Sequence, residues 1–136
     1  MVPDAALALQ SALFARLMAD GDLLALCGGR IHDRRPEGSA FPHVVIGEAS
    51  CVDDGSKSRP GQVHSLTLHV WSRYRGKAQA KQILAALAAA LHHQPLTLGG
   101  DSTWVNGRVT YCAVLDDPDG VTTHGVLRLR VVTEAV

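Results

Sequence analysis

Residues 63–93, VHSLTLHVWSRYRGKAQAKQILAALAAALHH, change their hydrophobic period midway. From Val63 to Trp71 the period is two. Leu66, Leu68 and Val70 point one way and Thr67, His69 and Trp71 the other, the pattern of a half-buried strand. After Tyr74-Arg75-Gly76, the residues Ala80, Ile83, Leu84, Leu87 and Leu91 recur at helical spacing, with alanines between them. A strand leading straight into an amphipathic helix predicts a helix lying across a sheet, its leucine stripe on the strand's apolar face.

Before this stretch, Pro3-Asp4 starts a helix that Asp4 can cap. Ala6, Leu9, Leu13 and Leu17 form its face, widened by Phe14 and Met18, and Gly21 ends it. A short helical turn from Asp22 to Leu26 stops at Gly28-Gly29. Both pieces are expected to pack on the sheet. Arg30-Ile31-His32 reads as a first short strand and Asp33 to Ala40 as a polar loop. Phe41 to Gly47 reads as a strand with proline near its start, where a sheet tolerates it. Asp53 to Pro60, with Asp54, Lys57 and Arg59, is a charged hairpin tip, and such loops often carry contacts to partners.

Beyond the central stretch, the long helix ends at His92-His93, because Pro95 disfavours helical geometry at Gln94. Strands are expected at Leu96-Thr97-Leu98, at Thr103-Trp104-Val105, and from Arg108 to Leu115, with Asn106-Gly107 as a hairpin turn or a bulge. Asp117-Pro118-Asp119-Gly120 is a turn. From Gly125 to Thr133, Leu127, Leu129 and Val131 alternate with Arg128, Arg130 and Val132. The order helix, strands, helix, strands gives an α+β fold: a mainly antiparallel β-sheet packed by an N-terminal helix and one long central helix. At 136 residues the chain makes a single domain, 1–136, that buries roughly two thirds of its unfolded surface.

Composition narrows the function. Thirteen basic residues equal thirteen acidic ones, for zero net charge. A free-standing nucleic-acid binder usually carries a basic excess, and a near-neutral protein is poorly protected from self-association. Cys27, Cys51 and Cys112 are far apart and form no CxxC pair, so they read as free thiols. The N-terminus has no basic region of a signal peptide and no membrane span.

No constellation of catalytic residues stands out. His64 and His69 face opposite sides of a strand, His92 and His93 diverge on a helix, and His32 and His43 are isolated, so the histidines read as surface or packing residues and not as metal ligands. No GxSxG elbow occurs, and Gly28-Gly29-Arg30 and Gly99-Gly100 lack phosphate-loop context. The acidic residues at Asp116, Asp117 and Asp119 lack a calcium loop's terminal glutamate. The chain reads as a non-enzyme with no cofactor. One charge cluster is unusual: Arg73, Arg75, Lys77 and Lys81 gather at the start of the long helix, where the dipole already supplies positive charge. They read as a solvated turn or as a surface for an anionic partner, either acidic protein or passing DNA.

Four features in order resemble the phage tail-completion, or tail terminator, proteins, which also occur in gene transfer agents: LLALCGGRIHDRRPEGSAFPHVVIG after the first helix, then LHVWSRYRGKAQAKQILAALAAAL, PLTL, and the closing DDPDGVTTHGVLRLRVV. His43 and the Asp53 to Pro60 loop depart from the family pattern. The resemblance implies a structural virion protein, a hexameric ring that caps the tail tube, ends its polymerisation and joins it to the head. Its implied partners are other copies of itself, the tail tube protein and the head-tail connector or stopper, with DNA only as cargo in the lumen and no membrane. Its implied location is the bacterial cytoplasm during assembly, then the particle's neck or tail. The interface or lumen candidates are Arg73, Arg75, Lys77, Lys81, Asp53, Asp54, Lys57 and Arg59, and edge strands at Arg30–His32 or ending near Val132 are expected to pair between subunits. The alternatives are a head-side neck adaptor or stopper, a small cytosolic enzyme, and a DNA-binding module.

Overall fold

The computed structural model describes residues 5–54 and 58–136. Three helices and five strands follow in order: α1 (Ala6–Met18), α2 (Gly21–Cys27), β1 (Ile31–His32), β2 (His43–Asp53), β3 (Gly61–Ser72), α3 (Ala78–Leu91), β4 (Ser102–Asp116) and β5 (Thr123–Ala135). The fold is α+β with a mainly antiparallel sheet, as the patterning predicts. In space the strands run β1-β2-β3-β5-β4, with only the β1–β2 pair parallel. Chain order does not give this arrangement. The α3 connection carries the chain from β3 past one strand position to β4, and β5 fills the gap antiparallel to both.

Stripe and strand meet as their periods require. Ala80, Ile83, Leu84, Leu87 and Leu91 of α3 are buried against Leu66, Leu68 and Val70 of β3 and Leu127, Leu129 and Val131 of β5, all within one core. Gly125 lets the helix approach β5 closely: a Cβ there would come within 3.1 Å of Leu84 and 3.2 Å of Val70. Leu9, Leu13 and Leu17 of α1 join the same core. Phe14 and Met18, expected to widen that face, are instead 41% and 37% exposed, and Ala6 is exposed while Ala5 is buried. α1 meets the core through one narrow leucine row, because it lies at the core's margin against α2, α3 and the short β1.

Several boundaries differ from the sequence reading. The Pro3-Asp4 start lies outside the described residues. Gly21 opens α2 and does not close α1; Asp20 caps α2 by accepting from the Leu23 amide at 2.9 Å, and left-handed Gly28 ends it. α2 packs mainly on α3 and α1, and its Leu23 and Cys27 join the core the helices share with the sheet. α3 stops at Leu91, and the two histidines after it bind β4: the His93 amide donates to the Gly107 carbonyl (3.0 Å) and the Val109 amide to His92 Nδ1 (3.0 Å). Leu96-Thr97-Leu98 is not a strand; Leu96 is buried and Leu98 packs on the core from an irregular segment. The segments on either side of Asn106-Gly107 form one strand, and Asn106 follows a bulge in it. The strand ending near Val132 is interior, since β5 pairs with β3 and β4 on its two sides. The sheet's edges are β1 and β4.

Leu87 is fully buried in the stripe. Leu87→Ala is expected to lower unfolding free energy by about 2–5 kcal/mol, read as a shift in a urea midpoint; an unchanged midpoint would contradict this packing.

Candidate assembly surface

The helices share a core with one face of the sheet, which leaves the other face open, an arrangement antiparallel sheets allow. The residues pointing outward follow from register: Trp71 opposite His124, His69 opposite Val126, Thr67 opposite Arg128 and Ser65 opposite Arg130, with Tyr111 and Leu115 of β4 beside them, 48% and 51% exposed. Arg128 lies 5.0 Å over the Tyr111 ring.

A linked row of polar side chains crosses this face. The Trp71 and His124 rings stack with centroids 3.9 Å apart and planes 6° from parallel. His124 Nε2 is 2.7 Å from His69 Nδ1, and His69 Nε2 is 2.7 Å from a Glu48 oxygen. A carboxylate only accepts, so His69 donates through Nε2; its neutral form then accepts at Nδ1, and His124 donates through Nε2. Burial, then the neighbouring His69, pulls the His124 pKa down. The hydrogen bond from His69 holds the Glu48 carboxyl below its usual range. Sequence reasoning placed His69 on this face but overlooked His124, which only the β3–β5 register brings to it. His64, on the opposite face, is buried and bonds Thr133 Oγ1 at 3.0 Å. Among the described residues, no three His, Cys, Asp or Glu side chains gather as metal ligands, and Cys27, Cys51 and Cys112 are unbridged.

The eight candidates from the sequence divide between two ends of the sheet. Arg73, Arg75, Lys77 and Lys81 lie at the end where β3 runs into α3, and two of them have local partners. The Arg73 guanidinium stacks 4.2 Å over Phe41 and its Nε donates to Thr122 Oγ1 at 3.1 Å; Lys77 pairs with Asp116 at 3.3 Å. Beneath Phe41, His43 is buried with Nδ1 at 3.1 Å from the Ala40 carbonyl and no partner at Nε2 among the described residues. Burial lowers its pKa, and the nearby Arg35, His32 and Arg30 add to the shift. At the same end Asp119 accepts from Thr122 Oγ1 and from the Thr122 and Val121 amides, which hold its pKa at about 2.

Asp53, Asp54 and Arg59 lie at the opposite end. The Asp54 amide donates to the Gly61 carbonyl at 2.9 Å, and Arg59 pairs with Glu134 at 3.2 Å. Lys57 lies outside the described residues. Since β3 holds 12 residues, the two groups stand roughly 35 Å apart and form no common site.

Comparison with known proteins gives concordant matches. The sequence profile of the family described as Tail completion protein gp17 matches residues 11–134. Tail completion protein gp17 of Bacillus phage SPP1 is 34% identical over 90 residues, and the match spans 66% of this chain and 66% of that protein, just under two thirds of its length. A chain in the virion of the native gene transfer agent particle superposes with a TM-score of 0.89 at 28% identity, covering 96% of this chain and 97% of its own. The bacteriophage SPP1 gp17 structure superposes at 0.64 with 25% identity, covering 93% and 89%.

The two depressed histidines set a pH dependence. With the folded pKa values of His43 and His124 below the ordinary 6.5, the unfolded chain takes up protons first as pH falls. Their contribution is intact above about 6.5 and is lost below it. The urea midpoint is expected to drop between pH 7.5 and pH 5.5, and to drop less in a His43→Asn/His124→Gln variant. An equal drop in both proteins would contradict the assignment.

Proposed function

The chain belongs to the tail completion protein gp17 family, and on that premise we propose that it is a structural protein of a phage or gene transfer agent particle that forms a hexameric ring, caps the tail tube, ends its polymerisation and joins it to the head connector. The observation that carries this reading is the superposition, at a TM-score of 0.89 over 96% of the chain, on a chain of a gene transfer agent virion. The work is binding and not catalysis. One ring face matches the last layer of tube subunits, and bound copies offer no further site for tube protein.

The architecture is compatible with such a ring. Closure by rotation needs different patches to meet on neighbouring copies. The sheet offers unlike edges, the two-residue β1 and the fifteen-residue β4, with His92 and His93 bound along part of the latter. Pairing of β1 with a neighbour's β4 is the corrected form of the edge contact expected from the sequence, since β5 is already paired on both sides. Arg75 and Lys81, exposed and in no salt bridge among the described residues, remain the members of the basic cluster most available to a partner, because Arg73 and Lys77 are engaged locally.

Purified protein added to polymerising tail tube protein is expected to halt elongation at far fewer copies than tube subunits, leaving short tubes with a ring at one end under the electron microscope. Elongation indifferent to the addition would contradict the proposal.

A further inference from the structure

The open face holds an excess of positive charge: among the described residues, the three arginines Arg108, Arg128 and Arg130 stand against one nearby carboxylate, Glu48. The His69 hydrogen bond and, to a smaller extent, Arg128 lower the Glu48 pKa. Arg108 of β4 stands directly opposite Arg130 of β5, and Arg128 projects from the same face one pleat along. Like charges directly opposed across a ladder are destabilising. Arg108 and Arg128 are exposed and Arg130 half-buried, and among the described residues no carboxylate forms an ion pair with any of the three. Beside them lies an open depression of about 450 Å³ lined by the hydroxyls of Ser50, Ser65, Thr67 and Thr110 and by the Glu48 carboxylate, which His69 already engages.

Where the balancing charge sits points to the partner. The whole chain is neutral, 13 basic against 13 acidic residues, so an excess of arginine in one place implies an excess of carboxylate in another. Part of that excess is at the hairpin-tip end of the sheet, where Asp53, Asp54, Asp101 and Glu134 outnumber the loop's two basic residues, Lys57 and Arg59, and Glu134 pairs with Arg59. Asp54 and Asp101 are exposed. Next to this end the outward-facing Val52 is 63% exposed, an apolar contact of the kind protein interfaces bury. A nucleic acid would meet this acidic end as well as the arginines, and the net charge gives it no advantage.

We propose that Arg108, Arg128 and Arg130 form a docking surface for the acidic hairpin-tip end, Asp54 and Asp101, of a second copy of this chain. The two surfaces differ, so the contact is head-to-tail, the type that closes rings. The inference rests on the self-assembly reading above and specifies which faces meet. Arginine forks suit carboxylates, and complementary patches fix register and select partners.

The test is a charge swap read by sedimentation equilibrium, with far-UV circular dichroism reporting the fold. Arg108→Glu/Arg130→Glu and Asp54→Lys/Asp101→Lys are each expected to raise the dissociation constant about tenfold or more. Combining all four changes in one chain, or mixing the two variants, is expected to restore assembly. Wild-type assembly with an unaffected arginine variant would overturn the docking surface and leave the ring reading intact. Weakening by each pair with no rescue by the swap would overturn the pairing of these two surfaces. Salt-sensitive retention of duplex DNA by wild-type protein, lost in the arginine variant whose assembly is normal, would assign the patch to nucleic acid instead. A wild-type chain that stays monomeric at every concentration would remove the self-assembly reading together with this inference.

Discussion

The pairing of β3 with β5 is the constraint on which the rest of the structure depends. It runs unbroken from Gly61 opposite Glu134 to Ser72 opposite Thr123. It places Leu66, Leu68 and Val70 on the same face as Leu127, Leu129 and Val131. A slip by one residue would turn one of those rows outward. α3 holds the register by covering both rows at once, and Gly125 leaves the space for it to do so. The β3–β5 ladder and the α3 stripe therefore stabilise each other, and α1 and α2 close the core's margin.

The same register that builds the core composes the opposite face. Once the leucines are inside, Trp71, His124 and His69 must stand together outside, and Arg130 must meet Arg108. Optimising a lone sheet would not put opposed arginines there. The interface proposed above would account for them, because a neighbour would bring further carboxylates to the patch. The molecule's two ends also differ. Asp53, Asp54 and Asp101 stand at one, with Glu134 paired to Arg59, and Arg73, Arg75, Lys77 and Lys81 stand at the other, where Asp116 and Asp119 offset part of the charge. A neutral chain with charge distributed in this way is suited to unlike-surface contacts between copies, as a closed ring requires.

Legibility in the sequence followed the range of the interactions. The β3–α3 unit was readable because its periods are local, and so were the Asp117–Gly120 turn and the Gly28 stop. Features set by long-range pairing were not. The interior position of β5 comes from the crossover through α3, and nothing in Gly125 to Thr133 marks it as central. β4 read as separate segments because its bulges break the alternation. Leu96 and Leu98 looked like a strand because burial alone asks for apolar residues, whether or not a ladder is present. On the surface, the basic cluster was visible as composition, while the local engagement of Arg73 and Lys77 depended on Phe41, Thr122 and Asp116, remote in the chain. The Trp71–His124–His69–Glu48 row joins three segments and had no sequence signal beyond the residue types.

The central claim is that this chain ends the tail tube and prepares it for attachment. Electron microscopy of particles produced without this gene tests it most directly, with tail length and head attachment scored. The account predicts filled heads lacking tails beside tubes of uncontrolled length. Tails of normal length attached to heads would contradict it.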